Sequence, residues 1–131
     1  MVTITPSKQP LVMDEWVSEG MHFNCISADA PEKEELDPAI LKRAKIIVDD
    51  REQASHGGEI NVPLAKGIIN EKDIWGSIGE IVAGLKDGRV SPEEITMFTS
   101  TGLAIQDAVT ADLVYRKALS ENIGRFIELI G

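Results

Sequence analysis

The sequence predicts an α/β fold: part of a parallel sheet with flanking helices, followed by one long C-terminal helix. Three observations predict it. Short runs of β-branched and apolar residues alternate with capped helical stretches. Their order, strand, helix, strand, helix, strand, favours parallel pairing through crossover connections. The length of 131 residues, 43% apolar, suffices for one core and excludes a second full domain.

Each element has a local cause. Val2 to Thr5 is β-branched throughout and stops at Pro6-Ser7, so it reads as a strand. A strand that starts at the first residues is unusual for a natural domain, which normally begins with some slack, so the expectation is that a cut or a split gene has removed preceding chain. Met13 to Glu19, with Trp16 and Val17 among acidic residues and Gly20 behind it, reads as a short amphipathic helix. His22 to Ser27 follows as a strand, broken by Ala28-Asp29-Ala30-Pro31. Asp37-Pro38 pairs an N-cap carboxylate with a proline at the first helical position, and Ile40, Leu41 and Ala44 supply the buried side.

Lys45 to Asp50 is the next strand, apolar with a charged end. From Arg51 to Gly88 the pattern is helical: Glu52 to Ser55 makes a first turn or two, and Ser77 and Glu80 form a capping box for a helix ending near Gly88. Ser91-Pro92-Glu93-Glu94 is a turn that leads into a strand over Ile95 to Thr99. The longest helix spans about Leu103 to Leu119, with a narrow polar stripe and a broad apolar face that calls for protein on most sides. Beyond it, Glu121 to Gly131 fits either helix or a last strand.

Composition narrows the function classes. Acidic residues outnumber basic ones 22 to 13, a formal charge of -9, which opposes binding to nucleic acid or an anionic membrane. Cys25 stands alone, so no intrachain disulfide forms, and a reducing, cytoplasmic setting is expected. His22, Cys25 and His56 lack metal-ligand spacing, so no metal site is expected. Neither G-x-G-x-x-G after a strand nor G-x-x-x-x-G-K-[ST] occurs, so no complete phosphate cradle is present.

Three loops fall at the carboxyl ends of the expected parallel strands, where open α/β sheets bind ligands: Pro6-Ser7, Ser27-Ala28-Asp29 and Ser100-Thr101-Gly102. Small hydroxyl residues there can bond a ligand, and they are equally ordinary turn and cap residues. Asp29 would serve as a general base or as an Asx-turn residue. Ser100-Thr101-Gly102 would aim backbone N–H groups at an anion or simply start a helix. The run Glu32-Lys33-Glu34-Glu35 reads as a solvated edge.

Taken in order, Thr5-Pro6-Ser7, Ser27-Ala28-Asp29-Ala30-Pro31 with Lys33 and Glu35-Leu36-Asp37, Val48-Asp49-Asp50 with Glu52-Gln53-Ala54, Gly58-Glu59-Ile60, and Ser100 through Asp107 closely resemble the ornithine cyclodeaminase/μ-crystallin family. The archaeal alanine dehydrogenase branch is the most similar. The resemblance runs from Val2 to about Ala118. Family members are about two and a half times as long and pair a dimerisation and substrate domain with a Rossmann domain that binds NAD(P).

The resemblance therefore implies that residues 1–102 are the second half of a Rossmann-type sheet, and that 103–131 form a return helix and tail packing on the first domain. It implies oxidative deamination of a small L-amino acid to the 2-oxo acid and ammonia. Ornithine cyclodeamination to proline, or a non-catalytic fragment or association half, are the alternatives. Asp29 matches the catalytic aspartate, Thr5, Pro6 and Ser7 a loop along the cofactor, Ser27 and Ala28 the nicotinamide side, and Ser100, Thr101 and Gly102 the segment closing over it. Two positions depart: Thr99 stands where the family commonly has Asp, and Glu32 where it often has Gly. The implied partners are an amino-acid substrate and either a second copy or a separate N-terminal half. Without the phosphate loop and the carboxylate clamp, the chain alone is expected to be inactive.

Overall fold

In the computed structural model, which describes residues 1–26 and 30–127, seven strands and five α-helices follow the expected alternation. A five-stranded sheet runs in the order β1 (Val2–Thr3), β3 (His22–Cys25), β7 (Thr96–Thr99), β5 (Lys45–Val48), β6 (Ile74–Ser77), and every pair in it is parallel. β2 (Lys8–Val12) and β4 (Glu34–Leu36) form a separate parallel ribbon. The register places Thr3, Cys25, Thr99, Val48 and Ser77 in one row across the larger sheet. The loops after β1, β3 and β7 thus leave the sheet at one level.

Alternation along the strands separates two faces. Phe23, Cys25, Ile46, Val48 and Met97 point to one side and are buried, packed with Val12, Leu36, Ile40, Leu41, Ala54 and Ile60. On the other side Val2 is exposed, and His22, Asn24, Ile47, Ile78 and Phe98 line a cleft of about 380 Å³. Parallel sheets normally have both faces covered; here the second is covered only in part, with Ile47 and Thr96 buried and Val2 exposed.

Several elements form for the reasons read from sequence. Asp37 accepts a hydrogen bond from the Ala39 amide at 2.9 Å, and Pro38 opens α1 (Pro38–Arg43). Asp50 caps α2 (Arg51–His56) by accepting from Gln53 N at 2.9 Å. Ser77 accepts from Glu80 N at 3.3 Å while Glu80 accepts from Ser77 N at 2.8 Å, a reciprocal capping box at α4 (Ile78–Val82). α4 is shorter than its apolar pattern implies, because Ala83 caps it and Gly84 turns left-handed at φ +70°.

Four expectations are corrected. Met13 to Glu19 makes only a 3-10 turn, Asp14–Trp16: Gly20 adopts φ +77° with its α-carbon so close to Pro92 O that a Cβ would lie 2.5 Å from it, and the chain reverses early. Ile74–Ser77 is a strand inside a stretch read as helical, its four residues too few to show a period. β2 and β4 went unread because Pro10 and a pair of glutamates interrupt the usual strand composition. The fourth is the acidic run, whose Glu34 and Glu35 are buried in β4 rather than solvated.

α3 (Asn61–Ala65) completes the buried layer. α5 (Ala104–Glu121) spans the expected long helix and ends at Asn122 in a left-handed cap. None of its residues is buried: Ile105, Val109, Leu113, Val114 and Tyr115 all stand exposed. Residues 122–127 are neither helix nor strand, and 128–131 lie outside the described residues. No helix among the described residues is long and apolar enough to cross a membrane.

Candidate functional site

Two described segments, after β1 and after β7, stand at the carboxyl edge of the five-stranded sheet. After β1, Thr5, Pro6 and Ser7 form a tight turn in which Thr5 Oγ1 accepts from Ser7 N at 3.3 Å and Ser7 Oγ donates to Gln9 O at 2.7 Å. Both hydroxyls therefore serve the turn. The turn is pinned from below, where the Thr5 amide donates to Glu35 Oε1 at 2.8 Å.

After β7, Ser100, Thr101 and Gly102 wrap around Asp49. The Ser100 hydroxyl donates to Asp49 Oδ2 at 2.8 Å, and the amides of Thr101 and Gly102 donate to the same oxygen at 2.9 and 3.1 Å. Asp49 Oδ1 accepts from Asp50 N at 2.8 Å. Of the two readings the sequence leaves for these amides, an external anion or a helix start, neither holds: an internal carboxylate occupies them. Helix α5 begins only afterwards, with Gln106 Oε1 accepting from Leu103 N at 3.4 Å. Gly102 adopts φ +80°, and a Cβ built there meets no atom of the described residues within 4 Å.

After β3, Ser27, Ala28 and Asp29 lie outside the described residues. β3 ends at Cys25, between Thr3 and Thr99 in the register. Burial, then the nearby Glu59 charge, pushes the Cys25 thiol up to about 12, which keeps it protonated at neutral pH and unfit as a nucleophile. Among the described residues no group of three or more His, Cys, Asp or Glu is placed to hold a metal ion.

Two sets of residues under this edge were not assigned a role from sequence. Asp49 is one; an apolar strand closed by two carboxylates was its only local mark. The other is Glu59 with Glu35. Glu59 is fully buried, its Oε1 accepts from Glu35 N at 2.9 Å and Leu36 N at 2.6 Å, and its own amide donates to Thr99 Oγ1 at 3.2 Å. Burial pushes the Glu59 carboxyl up to about 7, against the lowering effect of the two amides and with the help of the Glu35 and Glu34 charges. Gly58 permits this approach: at φ +85° its Cβ position would lie 3.2 Å from Thr101 Cγ2 and 3.3 Å from Thr99 Oγ1.

Thr99 and Glu32, the two departures noted in the sequence, sit differently. Thr99 is fully buried and holds the Glu59 amide. Glu32 is exposed at φ +68°, a backbone conformation that suits glycine, and pairs with Lys8 at 3.0 Å.

Comparison with known proteins places this architecture. The model of the ornithine cyclodeaminase/mu-crystallin family matches residues 1–122. Alanine dehydrogenase from Archaeoglobus fulgidus is 61% identical over 128 residues, 98% of this chain and 40% of that protein. A solved archaeal alanine dehydrogenase dimer with bound NAD superposes with a TM-score of 0.91 at 60% identity, over 98% of this chain and 40% of the other. The Δ1-pyrroline-2-carboxylate reductase of Thermococcus litoralis, solved with NADH and L-proline, gives a TM-score of 0.90 at 38% identity, over 96% of this chain and 39% of the other. The chain thus spans about 40% of the length of the relatives it matches.

Proposed function

The chain belongs to the ornithine cyclodeaminase/mu-crystallin family, and from that premise we propose that it is the C-terminal portion of an NAD(P)-dependent amino-acid dehydrogenase that deaminates a small L-amino acid such as alanine. The carrying observation is the carboxyl edge of the sheet. The chain as a whole superposes on an NAD-bound alanine dehydrogenase at 60% identity, and β1 and β7, which precede Thr5-Pro6-Ser7 and Ser100-Thr101-Gly102, end at one level of the same sheet, which supports this reading.

The residues present fit one part of such a cofactor. A Cβ built at Gly102 meets no atom of the described residues within 4 Å, which would let a flat ring lie against main chain, and Asp49 holds the adjoining amides rigid. By the family resemblance, Thr5, Pro6 and Ser7 would run along the cofactor and Ser27 and Ala28 would serve its nicotinamide side. The sequence carries no glycine-rich phosphate motif, so a pyrophosphate would be held by the part of the relatives that this chain does not span. Bound there, the nicotinamide would accept hydride from the amino acid's α-carbon.

The chain's own contribution to chemistry is Asp29. In the net reaction the α-carbon loses hydride, the nitrogen loses a proton, and water converts the imine to the 2-oxo acid and ammonia. Asp29 would take the proton released from nitrogen and water and return one to the departing ammonia. Residues 1–102 would serve as the cofactor half and 103–131 would return to a substrate and dimerisation domain outside this chain.

The test is a chimera in which this chain replaces the matching 40% of the Archaeoglobus fulgidus enzyme. We expect alanine-dependent reduction of NAD, and a loss of about 100-fold or more in kcat for Asp29→Asn with NAD binding retained. The 131-residue chain alone should show no turnover. A folded chimera that binds neither NAD nor NADP, or an Asp29→Asn variant with unchanged kcat, would overturn the proposal.

A further inference from the structure

We propose that the cleft between the β2–β4 ribbon and α3 is a binding site for a small zwitterion, a free α-amino acid whose ammonium meets Glu34 and whose carboxylate meets Asn61 and Lys66. The inference stands on the cleft alone and does not use the function proposed above.

The cleft has a volume of about 570 Å³, within the range that holds a small molecule. Glu34 of β4 lines it on one side and Asn61 of α3 on the other, with Lys8, Glu32 and Lys66 around them. Val62 and Ala65 add apolar lining, so a few polar groups are left to orient what binds.

Two of those polar groups are unsatisfied. Glu34 is only 4% exposed, and its Oε1 is sealed from solvent with no hydrogen-bond partner among the described residues. Asn61 Nδ2 is in the same condition. One accepts and the other donates, yet no bond joins them, and each carries the cost of a buried polar atom left unpaired. A ligand that answers both brings an N–H donor to Glu34 and an oxygen to Asn61.

The charges decide what kind of ligand that is. Lys8 and Glu32 pair at 3.0 Å on the exposed rim and cancel. Lys66 and Glu34 also balance, but their contact is long, 3.5 Å from Nζ to Oε2, and the Lys66 side chain is 57% exposed, so little is lost when that arm swings aside. A lone cation or a lone anion would leave the cleft with an unpaired charge, whereas a zwitterion keeps it neutral. Its ammonium takes the place beside the Glu34 carboxylate, and its own carboxylate accepts from Asn61 Nδ2 and the displaced Lys66 ammonium. In an α-amino acid one carbon holds both charged groups, which suits a carboxylate and an ammonium that already lie 3.5 Å apart.

The test follows backbone amides of the 131-residue chain by NMR at neutral pH while glycine or L-alanine is added at constant ionic strength. We expect saturable shifts at Glu34, Asn61, Val62 and Lys66 with one half-saturation below about 10 mM, and binding of methylammonium or acetate alone at least about tenfold weaker. Glu34→Gln and Asn61→Ala should each weaken glycine about tenfold, the effect of losing one hydrogen bond to a charged group. Should Glu34→Gln fail to fold, Lys66→Met at its exposed position should weaken glycine about fivefold. No shift up to about 100 mM, methylammonium or acetate matching glycine, or half-saturation unchanged in these variants would each overturn the proposal. Shifts confined to Thr5, Ser7, Thr101 and Gly102 would overturn it as well and leave the proposed function standing. Binding in the cleft of a chimera that turns over no alanine would support it and remove only that function.

Discussion

Asp49 gives the sharpest test of how the candidate site is held. Its carboxylate, 8% exposed, takes three donors from the segment after β7 in addition to the Asp50 amide. In Asp49→Ala those donors lose their acceptor. The buried Ser100 hydroxyl would cost about 2 kcal/mol, the half-buried Thr101 amide about 1, and the exposed Gly102 amide almost nothing because water replaces the carboxylate. Removing a desolvated charge returns part of this, so the net loss should be about 2 kcal/mol. Urea unfolding followed by circular dichroism measures it: at a slope of about 1.5 kcal/mol per molar, the midpoint should fall by more than about 1 M. Ser100→Ala should cost less, about 1 kcal/mol, and the double variant should be more stable than the sum of the two losses implies, since both delete the same bond. An Asp49→Ala variant within about 0.5 kcal/mol of wild type, or strictly additive losses, would refute the role assigned to this carboxylate.

Glu59 predicts an unusual pH dependence. Its carboxyl is raised from 4.5 to about 7 in the folded state, so its contribution to stability is complete below pH 4.5 and is lost as pH climbs through about 7. Between pH 5 and 8 the wild type should lose about 2.5 kcal/mol relative to Glu59→Gln, measured as the difference between their urea curves, and a constant difference would contradict this. At Glu32, φ +68° strains a side-chain-bearing residue by about 1 kcal/mol, while its exposed pair with Lys8 returns less than about 0.5. Glu32→Gly should thus be more stable than wild type and than Glu32→Ala in thermal melts; the reverse order with alanine would show that the backbone is unstrained. Finally, the exposed apolar face of α5 and the partly covered second face of the sheet should make the isolated chain self-associate. Light scattering should give a mass above 14.3 kDa, and Leu113→Asp should lower it, whereas a wild-type monomer at every concentration would count against the reading.

Local chemistry made much of this fold legible. Asp37-Pro38 and the Ser77-Glu80 box mark helix starts because their bonds close within three residues. β-branched residues mark β1 and β5, aromatic and apolar residues mark β3 and β7, and the alternation with helices implies parallel pairing. It also placed Thr5-Pro6-Ser7 and Ser100-Thr101-Gly102 at the sheet's carboxyl edge.

What tertiary structure decided involves partners far apart in the chain. Nothing near Glu34, Glu35 or Glu59 distinguishes buried acids from a solvated run; their burial follows from amides and faces supplied by segments 23 to 30 residues away. Asp49 became an anchor because β7 inserts between β3 and β5 and brings Ser100 to it across 51 residues. A carboxylate's role depends on which donors reach it. Sequence alone determined most of the elements and their likeness to a family, and only packing determined β2, β4 and β6 and which of the acids hold the edge together.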